Sequence, residues 1–381
     1  MIKGKKVLIT GATGQVARPI AESLSGVGPM ARYKVIHCGT GLAGKEALKA
    51  ILGRPELELV GLLVHSAKNA GLNVSHFIAG AASGVISTDD VERIVATEAD
   101  VVCYMLLLPN ADLICRLLAS GKNVVCTAGL IFPGWSDGAL HARIAEACAR
   151  GKSSFYVTGI NPGWVNEILP LSMAAMCRDV KRIVIREYAD CSQYPAPQIL
   201  DLMGFGKTEE VALADQSLAM MREFFIQSIA ALGEGLGLNI ETIDESREFV
   251  RAARAFDIKS YHVPANTIAG QRWRWTGFVA GEPRIIKETY WITAFDLGPG
   301  WPKSGEMETD AHWEVILEGT PSLRCKFEYR YSFDDPGRKE PYNQGAMATA
   351  LIAVNSLIPV CEARSGLLNA KDLPVPRGRH L

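Results

Sequence analysis

From Tyr33 to Gly159 short β-branched runs alternate with stretches whose apolar residues fall at helical spacing. The runs are YKVIHC, LELVGLLVH, VVCYMLLL, KNVVCT and SSFYVTG; between them lie GKEALKAILG, DDVERIVATE, NADLICRLLASG and GALHARIAEACARG. Strands that pair parallel need a crossover, and a helix supplies it, so this order predicts a parallel sheet with helices on its faces. Several helical stretches close on a glycine suited to a C-cap, and STDD (Ser87 to Asp90) supplies an N-cap before the third unit. VVCYMLLL (Val101 to Leu108) is the longest apolar run, at eight residues, and stops at Pro109. It falls short of the roughly 18 residues that span a bilayer and is expected to be a buried strand.

The first run opens into a complete GxGxxG turn, Gly39, Gly41 and Gly44, with Thr40, Leu42 and Ala43 between the glycines. Glycines at this spacing allow a tight turn and let the backbone approach a pyrophosphate seated on the next helix N-terminus. A second glycine turn lies upstream in VLITGATGQVA, with Gly11, Gly14 and Ala17. It resembles a short-chain dehydrogenase entrance, which calls for a Tyr-x-x-x-Lys pair, and none of the ten tyrosines has a lysine four positions on. Residues 1–29 are therefore read as an extra βα leader too small for its own core, fused or started early ahead of Met30, with an added edge strand as the alternative.

After Gly163 the pattern changes. VKRIVIREYADCS, PRIIKETYWITAFD, WEVILEG and LRCKFEYRYSF alternate like strands, and the stretch from about Asp215 to Ala255 reads as mostly helical. The predicted fold class is α/β: a Rossmann dinucleotide-binding domain over residues 30–165, then an α+β domain with an open, mostly antiparallel sheet over 166–340. Residues 341–381 hold a final apolar helix, GAMATALIAVNSLIPVCEA, and a Pro-rich tail.

In such a domain the end of the second strand sets the preference between the two nicotinamide cofactors, because an acid there accepts from the ribose 2′-OH of NAD. Here LLVHSAKNAG places His65, Ser66 and Lys68 at that point and no acid. A hydroxyl and an ammonium suit a 2′-phosphate, so the expected cofactor is NADP, with NAD the alternative. The nicotinamide should lie across the next strand ends: Tyr104 to Met105, Cys126 to Ala128 and Gly159 to Asn161. Thr127 and Asn161 are the expected contacts to the carboxamide or substrate, with Tyr104 beside them; Asn161 could instead only shape the NPGW turn.

The segments GTGLAGKEALKAIL, GKNVVCTA, GINPGW, REYADCSQY, AGQRWRWTGFVAGEP and ATALIAVNSLIPVCEARSGLLNAKDLP resemble the dihydrodipicolinate reductase-like family that includes 2,4-diaminopentanoate dehydrogenase and the native amine dehydrogenases. The resemblance covers about residues 33–376. It implies reversible hydride transfer between a nicotinamide and a C–N carbon, a final helix that returns to the nucleotide domain, and a homodimer paired through the open sheet. One departure matters: the characterised amine dehydrogenases carry a glutamate soon after the strand matching NVVCT, where this chain has Gly129 and Leu130 and no carboxylate before Asp137. Glu187 or Asp190 in REYADCS could supply the anion from another direction, or be ordinary strand residues. Alternatively the pocket handles a carbonyl or alcohol, with Tyr104, Tyr194 or His262 donating the proton. The expected catalytic set is thus Tyr104, Asn161, Glu187 and Tyr194, and the rival class is a nucleotide-binding sensor or degenerate homologue.

Trp164, Tyr188, Tyr194, Phe205, Trp273, Trp275 and Trp291 are candidate pocket walls, which would make the substrate apolar and fairly bulky. No Lys/Arg/Ser cluster suggests a dicarboxylate. Lys plus Arg (40) balance Asp plus Glu (41) with no basic run, which argues against nucleic acid or an anionic membrane as partner. Nine scattered cysteines without a CxxC pair, seven dispersed histidines without HxxxH or HxH, and the absence of GxSxG point to reduced thiols in a cytoplasmic protein, no metal and no common hydrolase elbow.

Overall fold

The computed structural model describes residues 32–81, 83–129, 138–194, 196–335 and 344–378, and the backbone alone of Gln216, Ser217 and Met220. The leader call on residues 1–29 and the Leu130 position lie outside the described residues.

Two six-stranded sheets organise the chain. The first contains β1 (Tyr33–Cys38), β2 (Leu57–Leu63), β3 (Val101–Tyr104), β4 (Asn123–Cys126) and β5 (Ser154–Val157), all parallel, with α1 (Leu42–Leu52), α2 (Val91–Ala96), α3 (Ala111–Ala119) and α4 (Gly138–Gly151) in the connections. α2 starts where the sequence placed a cap: Asp90 accepts from the Glu92 and Arg93 backbone N–H groups. The strands are mostly apolar because both faces are covered; Val101–Tyr104 is fully buried. With β14 (Gly366–Leu368) at one edge, the strand order β14-β5-β4-β3-β1-β2 reverses direction at β1, so the carboxyl ends of β1 and β3 form the crevice where such sheets bind ligands.

The second sheet follows α5 (Leu169–Ala174) and contains β6 (Val180–Asp190), with α6 (Pro197–Leu202), α7 (Glu209–Ala214) and α8 (Gln216–Gly235) before β7 (Thr242–Arg251). A small hairpin, β8 (Phe256–Asp257) and β9 (His262–Val263), precedes β10 (Ile268–Val279), β11 (Glu282–Ile292), β12 (Ala311–Gly319) and β13 (Leu323–Glu328). The order is β13-β12-β6-β11-β10-β7, antiparallel except for β6 with β11. β10 turns into β11 through Ala280 and Gly281, whose φ values of 52° and 74° suit a two-residue hairpin turn.

The stretch expected to be helical to about Ala255 is helical only to Gly235; its second part is the edge strand β7. TIDESREFVR alternates with period two but carries charges on both faces, which hid the pattern, and its pairing with β10 decides the matter.

A last helix, α9 (Gln344–Glu362), and β14 (Gly366–Leu368) return to the parallel sheet: β14 pairs with β5 and α9 packs Ala353, Val354 and Leu357 with Val35, Val101 and Val125. By length and composition α9 could cross a bilayer; here it covers the sheet. Arg54 at the end of α1 donates to the Val354 carbonyl and to Asn355, fastening the two helices. All nine cysteines are free, five of them buried.

Candidate active site

The turn after β1 is held by steric necessity. Gly39 has φ +101°, and a Cβ there would stand 2.6 Å from the Met105 carbonyl oxygen; a Cβ on Gly44 would stand 2.4 Å from the Gly39 carbonyl oxygen. Gly41 is different: it caps α1, is exposed, and a Cβ on it would meet nothing within 4 Å. Two glycines thus close the turn and the third keeps its outer side bare, with no acidic residue in the first turn of α1. Thr40 and Ala43 are half-buried and Leu42 is exposed. This open cradle at a helix N-terminus fits the pyrophosphate of a dinucleotide.

His37 lies fully buried under the turn, its Nε2 3.5 Å from where a Gly44 Cβ would be. Burial pushes its pKa down to about 4, offset in part by the backbone of Gly39 and Gly44, although neither ring nitrogen reaches the geometry of a full hydrogen bond. It is neutral at physiological pH. Beyond β2, Ser66 is half-buried with its side chain making no cap bond, and Lys68 is exposed. Both are available to a ligand phosphate.

At the exits of the central strands, Thr127 is half-buried and its N–H donates to the Tyr104 carbonyl at 3.1 Å. The Tyr104 hydroxyl, expected as a proton donor, accepts from the Asn110 N–H at 2.9 Å and donates to the Leu108 carbonyl at 3.3 Å. It is committed to shaping its own loop, and burial pushes its pKa up to about 12. Local wrapping of residues 104–110 is the reason, and no strand pattern reveals it.

After β5 the chain turns through Gly159–Gly163, where the Asn161–Pro162 peptide is cis and Gly163 has φ +123°. The turn closes with Trp164 N–H on the Gly159 carbonyl at 2.8 Å. It aims Asn161 at the second sheet. Asn161 Nδ2 donates to Glu187 Oε2, and the same oxygen takes Lys287 Nζ at 3.2 Å. Asn161 Oδ1 has no partner. Glu187 on β6 and Lys287 on β11 are both buried, the lysine to 1 % exposure of its side chain. Opposite Glu187 in register stand Thr289 of β11 and Trp313 of β12; their Oγ1 and Nε1 are likewise buried without partners. Burial, with the fields of Cys191 and Glu187, pushes the Tyr194 hydroxyl up to about 12, and burial and Tyr194 and Glu187 raise Tyr329 in the same direction. A polar group of Asn161, Glu187, Lys287 and Thr289 therefore sits beside the tryptophans of the inner sheet face, with two tyrosines next to it.

Asn161, Glu187 and Tyr194 were expected; Lys287, Thr289, Trp313 and Tyr329 were not. The alternation in EPRIIKETYWI puts Lys287 and Thr289 on the face of Ile285 and Trp291, so a lysine in an inward register was the available signal.

Gly129, where the family resemblance calls for a glutamate nearby, has φ +95°, and a Cβ there would meet Phe224 Cε1 and Pro109 Cγ at 3.3 Å each. Aromatic and proline rings take that space. Other candidates belong elsewhere. Asp190 caps the turn after β6 by accepting from Ser192 N–H. His262 is an exposed residue of the β8–β9 hairpin, paired with Asp257 at 2.6 Å. Phe205, Trp273 and Trp275 are fully buried core, because their rings fill the space between β10 and α8: Phe225 stacks on Trp275 at 4.7 Å. Tyr188 points to the opposite face, stacked between Tyr290 and His312 at 4.8 and 4.9 Å. Trp291 is on the inner face, 5 % exposed, and Trp164 is half-buried. No group of three metal-ligating side chains occurs among the described residues.

Residues 164–380, more than half the chain, match the family model of the 2,4-diaminopentanoate dehydrogenase C-terminal domain. The chain belongs to this family. An amine dehydrogenase of Streptomyces virginiae is 26 % identical over 353 residues, covering 88 % of this chain and 95 % of the relative. The 2,4-diaminopentanoate dehydrogenase of Acetoanaerobium sticklandii is 25 % identical over 360 residues, covering 91 % and 95 %. Among solved structures, the amine dehydrogenase from Mycobacterium smegmatis superposes with a TM-score of 0.73 at 16 % identity, covering 92 % of this chain and 98 % of that one. That likeness extends the shared fold across both sheets.

Proposed function

We propose that this protein is an NADP-preferring oxidoreductase that interconverts a fairly apolar amine and its imine, with water then giving ketone and ammonia. The chain is an NAD(P)-dependent dehydrogenase of the amine dehydrogenase group. Gly39–Gly44 would hold the pyrophosphate, Ser66 and Lys68 the 2′-phosphate, and Thr127 and Asn161 the nicotinamide end; the bound dinucleotide supplies the hydride exchange. The chain's own part at the reacting nitrogen falls to Glu187. A carboxylate there stabilises the positive charge that develops as the C–N bond gains double-bond character. The observation that carries this reading is the bond from Asn161, at the exit of a nucleotide-domain strand, to Glu187 on the other sheet.

The inner face around Glu187 is built from Trp291, Trp313 and Phe225, which supports an apolar substrate. We propose further that two copies pair through the outer face of the mixed sheet.

The test follows absorbance of NADPH and NADH with ammonia and a panel of ketones, and of the oxidised cofactors with the matching amines. Ammonia-dependent consumption of NADPH, faster than of NADH, is expected. Ketone-dependent consumption that ignores ammonia would move the reaction to C–O, and failure to bind either dinucleotide would overturn the reading altogether.

A further inference from the structure

Lys287 presents a problem of physical chemistry. Its ammonium lies on the inner face of β11 between Ile285 and Thr289, 1 % exposed, 5.5 Å above the Phe225 ring. Burial lowers its pKa, and only Glu187 opposes that. Buried ion pairs are commonly replaced by apolar side chains of similar volume without loss of stability. An apolar pair would fill this site, so folding does not explain why Lys287 and Glu187 are kept together, whereas removing one partner alone leaves the other's charge buried.

The geometry at Glu187 does. Asn161 Nδ2 and Lys287 Nζ both bind Oε2, and neither holds Oε1. One donor comes from the nucleotide-domain turn and the other from the sheet, so the carboxylate is clamped from two sides on one oxygen. On the reading that the reaction occurs at a C–N carbon, we propose that Lys287 is a positioning residue: it clamps Oε2 of Glu187 together with Asn161 so that Oε1 receives the N–H of the substrate. Cys191, Tyr194 and Tyr329 surround the carboxylate and give it no hydrogen bond of their own, and a carboxylate turned away from the substrate nitrogen stabilises no developing cation there. Those three, with Lys287, are the titratable groups that face it; Asn161 and Thr289 complete its polar neighbours.

The experiment uses the full chain with Lys287→Met, Lys287→Arg and Glu187→Gln, reading thermal midpoint, NADPH affinity by fluorescence, and kcat and KM separately for the best amine. Lys287→Met should keep its NADPH affinity while its midpoint falls, because Glu187 stays buried without its partner. The variant's kcat/KM should fall roughly a hundredfold, mostly in kcat. Lys287→Arg, which can still donate to Oε2, should restore most of that rate. An unchanged kcat and KM in Lys287→Met overturns the proposal. If the wild type turns over nothing at C–N, the underlying reading fails separately, and binding of cyclohexylamine by calorimetry in the presence of NADPH decides the clamp. Tighter binding by wild type than by both Lys287→Met and Glu187→Gln upholds it; equal binding sinks it.

Discussion

Glu167 shows how one buried group can tie the stability of this protein to pH. It is 2 % exposed, accepts from Ser228 Oγ at 2.7 Å, and has the Gly163 backbone N–H beside it. Burial pushes its pKa up to about 7, with those two hydrogen bonds pulling the other way. An acid whose folded pKa is raised is protonated in the native state while the unfolded chain has already released the proton. Stability from this group is therefore full below the unfolded value of about 4.5 and declines as pH rises toward about 7. The decline is on the order of 3 kcal/mol as an upper bound. Glu167→Gln keeps an acceptor for Ser228 and cannot ionise. Urea midpoints measured between pH 5 and pH 8 should fall for wild type and stay level for the variant; parallel curves would show that Glu167 does not titrate in this window. Because the same carboxyl lies against Gly163, its ionisation bears on the turn that carries Asn161.

At the scale of elements, the glycine turn separates two roles that GxGxxG alone merges. Gly44→Ala drives a Cβ into the Gly39 carbonyl, so it should destabilise the protein by about 1–3 kcal/mol and abolish dinucleotide binding. Gly41→Ala meets nothing; its stability should stay within about 0.5 kcal/mol of wild type, while dinucleotide affinity falls at least about tenfold. Thermal shift with and without NADPH measures both, and unchanged affinity in Gly41→Ala would place the pyrophosphate elsewhere. This turn was legible in the sequence because everything that makes it is local: a β-branched run, three glycines and a helix. Asn161 was legible for the same reason, standing where the strand rhythm breaks. The clamp on Glu187 was not. Lys287 lies 100 residues from Glu187, and alternation reveals which face each side chain takes but not which strand lies next to which. That β6 and β11 run side by side follows from the whole connection between them. β7 was missed because charges on both faces of an edge strand blur its period, and the commitment of Tyr104 to its own loop leaves no pattern in residue type.

The whole molecule has one large surface that its own elements explain only in part. Across the outer face of the mixed sheet the register lines up three rows. Ile286, Val184 and Ile316 form an apolar row; Arg274, Glu288, Arg186 and Glu314 form a row of alternating charge; Tyr290, Tyr188 and His312 form a stacked row. The charges satisfy one another within the sheet, with Glu288 taking Arg186 and Arg274 at 2.9 Å each and Arg186 reaching Glu314 at 3.6 Å. A face whose charges are internally paired presents no net repulsion to its own copy, and a two-fold axis lets the same patch meet itself. Val184 and Ile286 are already nearly covered within the chain, so the half-buried Ile316, Tyr188 and Tyr290 supply the area that water disfavours. The protein should sediment at about twice its 41.3 kDa chain mass. Val184→Lys puts an unpaired ammonium at the middle of the apolar row, next to Ile286 and Ile316, and should release monomers that still bind NADPH, since the glycine turn belongs to the other sheet. A wild-type monomer, or a Val184→Lys dimer as tight as wild type by sedimentation equilibrium, would show that copies of this chain do not meet through this face.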